Sequence, residues 1–588
     1  MSYKKYKDLK PQETIKKIKN ILQKLNIEVK KSSFRSTKSL YSMRLSIPSI
    51  CWGVNGKGTT RQFCEASAYG EFMERLQNLS FMDDFFIPDT LFNTFSKKSY
   101  NKPFFYDSKS IDIKDILKTL PDLKEDIELS FYDSDKTFPK KEADLINTWV
   151  ELNGSSKFDC IPFYSVTKRK VVYLPIYILT ELGHSNGLAS GNTFEEAICQ
   201  GLSEILERYA QEKIIVDNLT PPQVSKSYIN KMCPELINTI SEIERKGNFK
   251  VLVYDCSLGK GLPVISTILI NQTEHEYSIK FGCHPQFAIA LERCLTELAQ
   301  GRKFNKTYPF TKWNKHSEKI CKTHYNLSTM TRKNLGSIPS SFFYTQPSWN
   351  FVEWKNQENF NNKNGVKELI NICLKLSKDV YIRDNSYLGF PAYRIYMPKI
   401  SSIHGTDFLG KTAFSHKVSF DTIVKIHENI DSLSVKKIKE LIKFLSNDHK
   451  NTERELKENI LLAALYLELD DIKSALKELY KEVPPTDYLK CIIRELELRL
   501  DGTSQENRDY MLDLFFGKYA QKYVALNWRG KNILKNILFP FKLKNNIDYK
   551  KEKQEKIKSI FSLYHKIEKM MFKSNIKQEN LKYLIDSL

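Results

Sequence analysis

The sequence predicts a mixed domain of α/β or α+β class over residues 1–415, followed by an all-α domain over 416–588. Three observations carry this. The 588 residues are too many for one hydrophobic core. Strand, loop and long helix follow one another three times in the first half of the chain. From about residue 420 the text is nearly all helical. There Ala463, Ala464, Leu467, Ile472, Ala475 and Leu476 show the small/large packing of helix-hairpin, TPR-like repeats.

An amphipathic basic helix opens the chain over 10–26, where Ile15, Ile18, Ile21, Leu22 and Leu25 recur at helical spacing. Strands follow at Tyr41–Ile47 and Cys51–Val54. A turn at Asn55-Gly56-Lys57-Gly58 leads into a helix ending near Leu79. Residues 85–160 are turn-rich with shorter strands. Val171–Leu179 reads as a strand, and the loop 185–192 opens a second helix over Thr193–Lys213. The third repetition has strands at Val251–Tyr254 and Val264–Ile270 and a helix over Gln286–Gln300. Residues 311–365 read as a loop-bearing insertion, and strands Val380–Arg383 and Tyr393–Met397 close the first domain. The helical tail is expected to serve dimerisation or docking.

Composition narrows the class. Hydrophobic residues at 41% and aromatics at 12% suit a folded protein and not a disordered one. The charged N-terminus resembles no signal peptide, and no apolar run approaches the length of a membrane span, so a soluble cytoplasmic protein is expected. Eleven cysteines without a CxxC pair fit reduced thiols and offer no structural zinc site. The net charge of +21 is spread along the chain without a basic stripe interleaved with aromatics, so direct nucleic-acid binding is not expected.

Three helices carry polar stripes without lysine. On the first, Ser67, Glu71, Glu74 and Asn78 line up beside an apolar side of Phe63, Ala66, Gly70 and Met73. On the second, Glu196, Gln200, Ser203, Glu204, Glu207 and Gln211 lie opposite Phe194, Ile198, Leu202 and Ile205. On the third, Arg293, Thr296, Glu297 and Gln300 share a stripe. A solvated face in so lysine-rich a chain should carry lysines. Their absence points to an enclosed site whose carboxylates are tolerated because a cation lies between them. Magnesium, a hard cation shared between carboxylates and nucleotide phosphates, suits this best, with Arg208 and Arg293 addressing phosphate oxygens.

Local alternatives stand beside this reading. Thr193-x-x-Glu196 is also a capping box, Thr59-x-x-Gln62 reads as a cap, and Asn192 is either a cap or part of an anion site in its glycine-bearing loop. Gly56-Lys57-Gly58-Thr59 fails the P-loop pattern, because glycine follows the lysine where Ser or Thr is needed. HExxH and GxSxG are absent, and His184 and His284 read as structural.

Three blocks resemble the signatures of the YcaO family. They are Asn55–Gly58 with Gly70-Glu71-Phe72-Met73-Glu74-Arg75, the loop 185–193 with Gln200–Arg208, and Ala290–Glu297. The resemblance covers roughly residues 1–410. It implies an ATP and magnesium site drawing on Lys7, Thr14, Glu71, Glu74, Asn192, Glu196, Gln200, Glu204, Glu207, Arg208, Arg293 and Glu297. Glu71, Glu74, Glu204, Glu207 and Glu297 are the metal ligands it suggests, and no catalytic side chain is assigned. Thr14 and Ala189 stand where the family pattern has Ser. The family's chemistry is activation of a peptide amide by phosphoryl transfer from ATP, with azolines, amidines or thioamides as products. The chain ends without the Pro-rich terminus of azoline-forming members. Its full length resembles instead the subtype associated with RimO-dependent β-methylthiolation of an aspartate on a small-subunit ribosomal protein. Peptide thioamidation or cyclodehydration and a nucleotide-regulated scaffold are the alternatives. A homodimer through the C-terminal domain is expected.

Overall fold

Pro11 at the first helical position and Glu13, whose carboxylate accepts the Lys10 backbone N–H at 2.9 Å, start helix α1 (Pro11–Lys24). The computed structural model describes residues 6–83, 107–131, 156–183, 185–304, 308–312, 321–333, 335–354, 360–402, 433–447, 456–480, 487–516 and 549–588. His184 lies outside them.

Three sheets form the first part of the chain, and every pairing among the described residues is antiparallel. This is the α+β half of the expected class. Strands β1 (Lys30–Thr37), β2 (Leu40–Ile47) and β3 (Trp52–Gly58) make a meander. A larger sheet combines β4 (Lys109–Asp112), β5 (Lys157–Ser165), β6 (Lys170–Pro175) and β7 (Leu188–Ser190) with β12 and β13 (Tyr381–Asp384, Ala392–Tyr396). Its order is β4-β5-β12-β13-β7, with β6 on β5. The third sheet takes β8 (Phe249–Asp255), β9 (Val264–Asn271), β10 (Glu276–Cys283) and β11 (Thr311–Lys312) in the order β11-β10-β9-β8.

Three long helices pack on these sheets. Helix α2 (Arg61–Gln77) lies on β2 and β3, and α3 (Phe194–Val216) spans β10, β7 and β13. Helix α4 (Phe287–Ala299) covers β9 and β10 and touches β2. Helix α5 (Asn362–Leu376) packs beside α3 and adds Val366, Leu369 and Cys373 to the main core. Thr60 and Thr193 cap α2 and α3, accepting from the Phe63 and Glu196 backbone N–H groups at 3.2 and 3.1 Å.

Several elements differ from expectation. Residues 55–58 continue strand β3 instead of turning, with Gly56 and Gly58 on the buried face. A Cβ at Gly56 would lie 2.4 Å from the Ala68 backbone nitrogen, and one at Gly58 2.5 Å from that of Cys64, so the glycines are what let α2 settle on the strand. The cap of α2 is Thr60, not Thr59. The strand expected to reach Leu179 stops at Pro175, whose missing N–H ends the ladder, and gives way to helical turns. The insertion at 311–365 contains the helix His324–Lys333.

Described residues in Met1–Phe85, Tyr100–Ala413 and Ser559–Leu588 belong to one compact unit, and those in Phe86–Ser99 and Phe414–Lys558 to another. Relative to the division expected at 415/416, the last segment returns to the first unit. Leu581 joins its main core, Gln578 hydrogen-bonds both backbone groups of Asp384 at 2.7 and 3.0 Å, and Asp586 pairs with Arg169. The second unit is helical. Its helices Val435–Asn447, Leu456–Glu468, Ile472–Leu479, Asp487–Leu500 and Gln505–Phe516 each pack on the next.

Candidate nucleotide and metal site

Helices α1 to α4, strand β3 and the loop 185–192 enclose a cleft of about 880 Å³ within the first unit. All twelve side chains singled out from the sequence line it. Eleven of them fall into two groups with different chemistry, and the twelfth, Gln200, lies on α3 between Glu196 and Glu204.

The first group is a hydrogen-bonded chain. The Thr14 hydroxyl donates to Asn192 Oδ1 at 2.8 Å, and Asn192 Nδ2 donates to Glu196 Oε2 at 2.9 Å. Glu196 also accepts from Lys7 Nζ at 2.9 Å and from the Asp8 backbone N–H at 3.0 Å. Burial raises the proton affinity of Glu196, but Lys7 and these donors outweigh it and hold the carboxyl below its usual range. The capping box is therefore only half made. Thr193 caps the helix, while Glu196 turns away to fasten the residues preceding α1. Asn192 likewise does not cap.

The second group is a carboxylate cluster. Burial pushes Glu74 up to about 8, partly offset by Arg75 and reinforced by Glu204 and Glu71. Burial also raises Glu71 and Glu207. Arg208 binds Glu204 Oε1 through Nε and Nη2 at 3.2 and 3.1 Å. Arg293 donates to the Cys283 carbonyl at 2.7 Å, and Lys57 pairs with Glu297.

Some stripe members point elsewhere. Ser203 and Gln211 are buried away from the cleft, and Asn78 is used structurally, donating to the Glu74 carbonyl at 2.9 Å and accepting from Asn385 at 2.8 Å. Phe63, Ala66 and Gly70, expected on the apolar side of α2, line the cleft, while Cys64, Ala68, Phe72 and Met73 form its buried face. Ala189 is fully buried, and its neighbour Ser190 reaches the cleft with its hydroxyl on the Gly70 carbonyl at 2.8 Å. His284 accepts the Gln286 N–H on Nδ1 at 3.0 Å, and burial holds it well below its usual range, so it stays neutral.

Lys57, Arg75, Ser190 and Glu292 line the cleft without having been anticipated. The alternating glycines around Lys57 were the legible signal for it. In a strand they leave position 57 on the opposite face.

The residues fit magnesium and a triphosphate. The donors are carboxylate oxygens, and three carboxyls are held protonated-prone by burial, a state that a divalent cation relieves. Seven carboxylates face six basic side chains in the cleft, so its fixed charge does not neutralise a triphosphate without added cations. Among the described residues no three His, Cys, Asp or Glu side chains stand close enough together to hold an ion by themselves. Phosphate and water oxygens would complete the shell.

The family described as YcaO cyclodehydratase, ATP- and Mg2+-binding, matches residues 55–401. The chain is 30% identical over 411 residues to the Escherichia coli protein named ribosomal protein S12 methylthiotransferase accessory factor YcaO, covering 68% of this chain and 67% of that protein. It is 31% identical over 360 residues to an uncharacterised Haemophilus influenzae protein, covering 60% and 58%. Among solved structures, a heterocyclase in complex with substrate and cofactor matches at 18% identity and a TM-score of 0.47, over 67% of this chain and 52% of that one. YcaO from Methanopyrus kandleri bound with AMPPCP and Mg2+ matches at 18% and 0.41, over 67% and 92%.

Proposed function

Because the chain belongs to the YcaO family and carries its ATP- and Mg2+-binding domain, we propose that it is an accessory factor in RimO-dependent β-methylthiolation of an aspartate on a small-subunit ribosomal protein. The observation that carries the nucleotide half of this reading is the convergence of glutamates from α2, α3 and α4 on one cleft with Lys57, Arg75, Arg208 and Arg293. The likeness to the Escherichia coli accessory factor supports the ribosomal half.

When bound, ATP would supply a phosphoryl group to the amide oxygen of a substrate peptide, phosphate would leave as a nucleophile attacks the amide carbon, and magnesium would neutralise the charge of that transfer. Glu71, Glu74, Glu204, Glu207 and Glu297 would hold the metal, and Arg208 and Arg293 the phosphate oxygens. Glu196 and Asn192, with Lys7 and Thr14, fix the residues before α1 against the start of α3 and so set one wall of the cleft. No side chain here needs to act as nucleophile. The cleft's work is positioning and charge neutralisation.

The same reading makes the protein cytoplasmic and a homodimer through its helical domain. Tyr510, Leu514 and Phe515, exposed together on the helix Gln505–Phe516, support that interface. Deleting the gene should lower methylthiolation of the ribosomal protein, read by mass spectrometry of the intact protein, and Glu204→Ala should fail to restore it. Normal modification in the deletion strain refutes the proposal. An ATPase stimulated instead by a peptide substrate favours thioamidation or cyclodehydration, and one that neither substrate nor Glu204→Ala changes favours a nucleotide-regulated scaffold.

A further inference from the structure

Strand β3 puts a lysine among glutamates from all three cleft helices. Gly56 and Gly58 occupy the face on which α2 rests, so Lys57 leaves the strand on the alternate face and lines the cleft. Its ammonium pairs with Glu297 of α4 and donates to Gln300 Oε1 at 3.4 Å. Burial lowers the proton affinity of this lysine and the Arg293 guanidinium opposes its charge, while Glu71 of α2 and Glu207 and Glu204 of α3 favour the charged form. Gln300 is itself fixed, its amide donating to the Asn55 carbonyl at 2.5 Å.

We propose that Lys57 is an internal counter-ion that holds the cation position of the carboxylate cluster while the cleft is free of nucleotide, and moves to the triphosphate when Mg·ATP takes Glu297. The inference rests on the reading that Mg·ATP binds this cleft. Converging carboxylates repel unless a cation lies among them, and Lys57 supplies one from within the chain. A lysine suits the part, because its point charge on a flexible stem can change partners, whereas arginine's planar fork holds one geometry. Metal alone gains little by displacing Lys57 from Glu297, since the ammonium would lose its paired carboxylate and keep only Gln300 at hydrogen-bond distance. Metal arriving with phosphates gives Lys57 a new anion, so metal and nucleotide enter together.

Calorimetric titration of the full chain with Mg2+ alone and with Mg·ATP tests this. Lys57→Met should bind Mg2+ alone about tenfold tighter than the unmodified protein and Mg·ATP about tenfold more weakly. Mg2+-alone affinity that is unchanged or lower in Lys57→Met overturns the inference. Should that variant not fold, a structure of the unmodified chain with Mg2+ and a non-hydrolysable ATP analogue decides. Lys57 Nζ on a phosphate oxygen supports the proposal, and Lys57 still on Glu297 overturns it while leaving the nucleotide site intact. An unmodified chain that binds no Mg·ATP overturns the functional reading and this inference with it.

Discussion

Glu74 retains its proton up to a pH of about 8 because burial strips the water that would solvate its carboxylate, and the neighbouring Arg75 only partly compensates. An unfolded glutamate releases its proton near 4.5, so between there and about 8 the native state binds the extra proton, and the ligand-free protein loses stability as pH rises. A divalent cation competes with that same proton. Mg·ATP affinity is therefore expected to rise between about pH 6 and about pH 8.5, and Glu74→Gln to flatten the rise while weakening binding. Calorimetry at the two pH values checks this, and equal affinities in the unmodified protein would contradict it. Glu196, in the first turn of α3, shows the opposite outcome. It is equally buried, yet Lys7, the Asp8 N–H and Asn192 keep it ionised.

At the scale of elements, the contact between β3 and α2 governs the cleft, since the helix brings Glu71 and Glu74 and the strand brings Lys57. That contact depends on bare glycine. Gly56→Val would drive a side chain into the Ala68 backbone, and overpacking of this kind costs about 1–3 kcal/mol. A lower unfolding temperature in Gly56→Val, together with weaker Mg·ATP binding, is the expected result. Unchanged stability would mean that α2 can lift off the strand. Sequence periodicity found α2 and put Ser67, Glu71 and Glu74 on one stripe, which lines the cleft, but it placed Phe63, Ala66 and Gly70 on the apolar side. Helix α2 is polar enough that Phe63, Ala66 and Gly70 could be read as core, and only the packing of Ala68 on β3 decides which side turns inward. Strand β10 was also missed. Its residues do alternate, Glu276, Ser278 and Lys280 with Tyr277, Ile279 and Phe281, so the period-2 signal was legible, although both faces of the strand are buried.

Across the whole molecule, the chain's last residues complete the first unit. Leu581 is 1% exposed within the main core, flanked by the Gln578 bonds to Asp384 and the Asp586 pair with Arg169. Leu581→Ala should cost that unit about 2–5 kcal/mol, seen as a lowered unfolding temperature, and an unchanged transition would show the segment to be dispensable. Helical periodicity and contiguous motifs are local properties of the text, and they were enough for helices α1 to α4, their glutamates and the family, but not for the helices at 324–333 and 362–376. Long-range packing brings Lys7 to Glu196, Lys57 to Glu297 and Asp586 to Arg169, and it pairs the strands of the three sheets antiparallel. Those partners are far apart in the chain. Which distant groups satisfy one another is settled by packing and burial, and no spacing within one sequence records it.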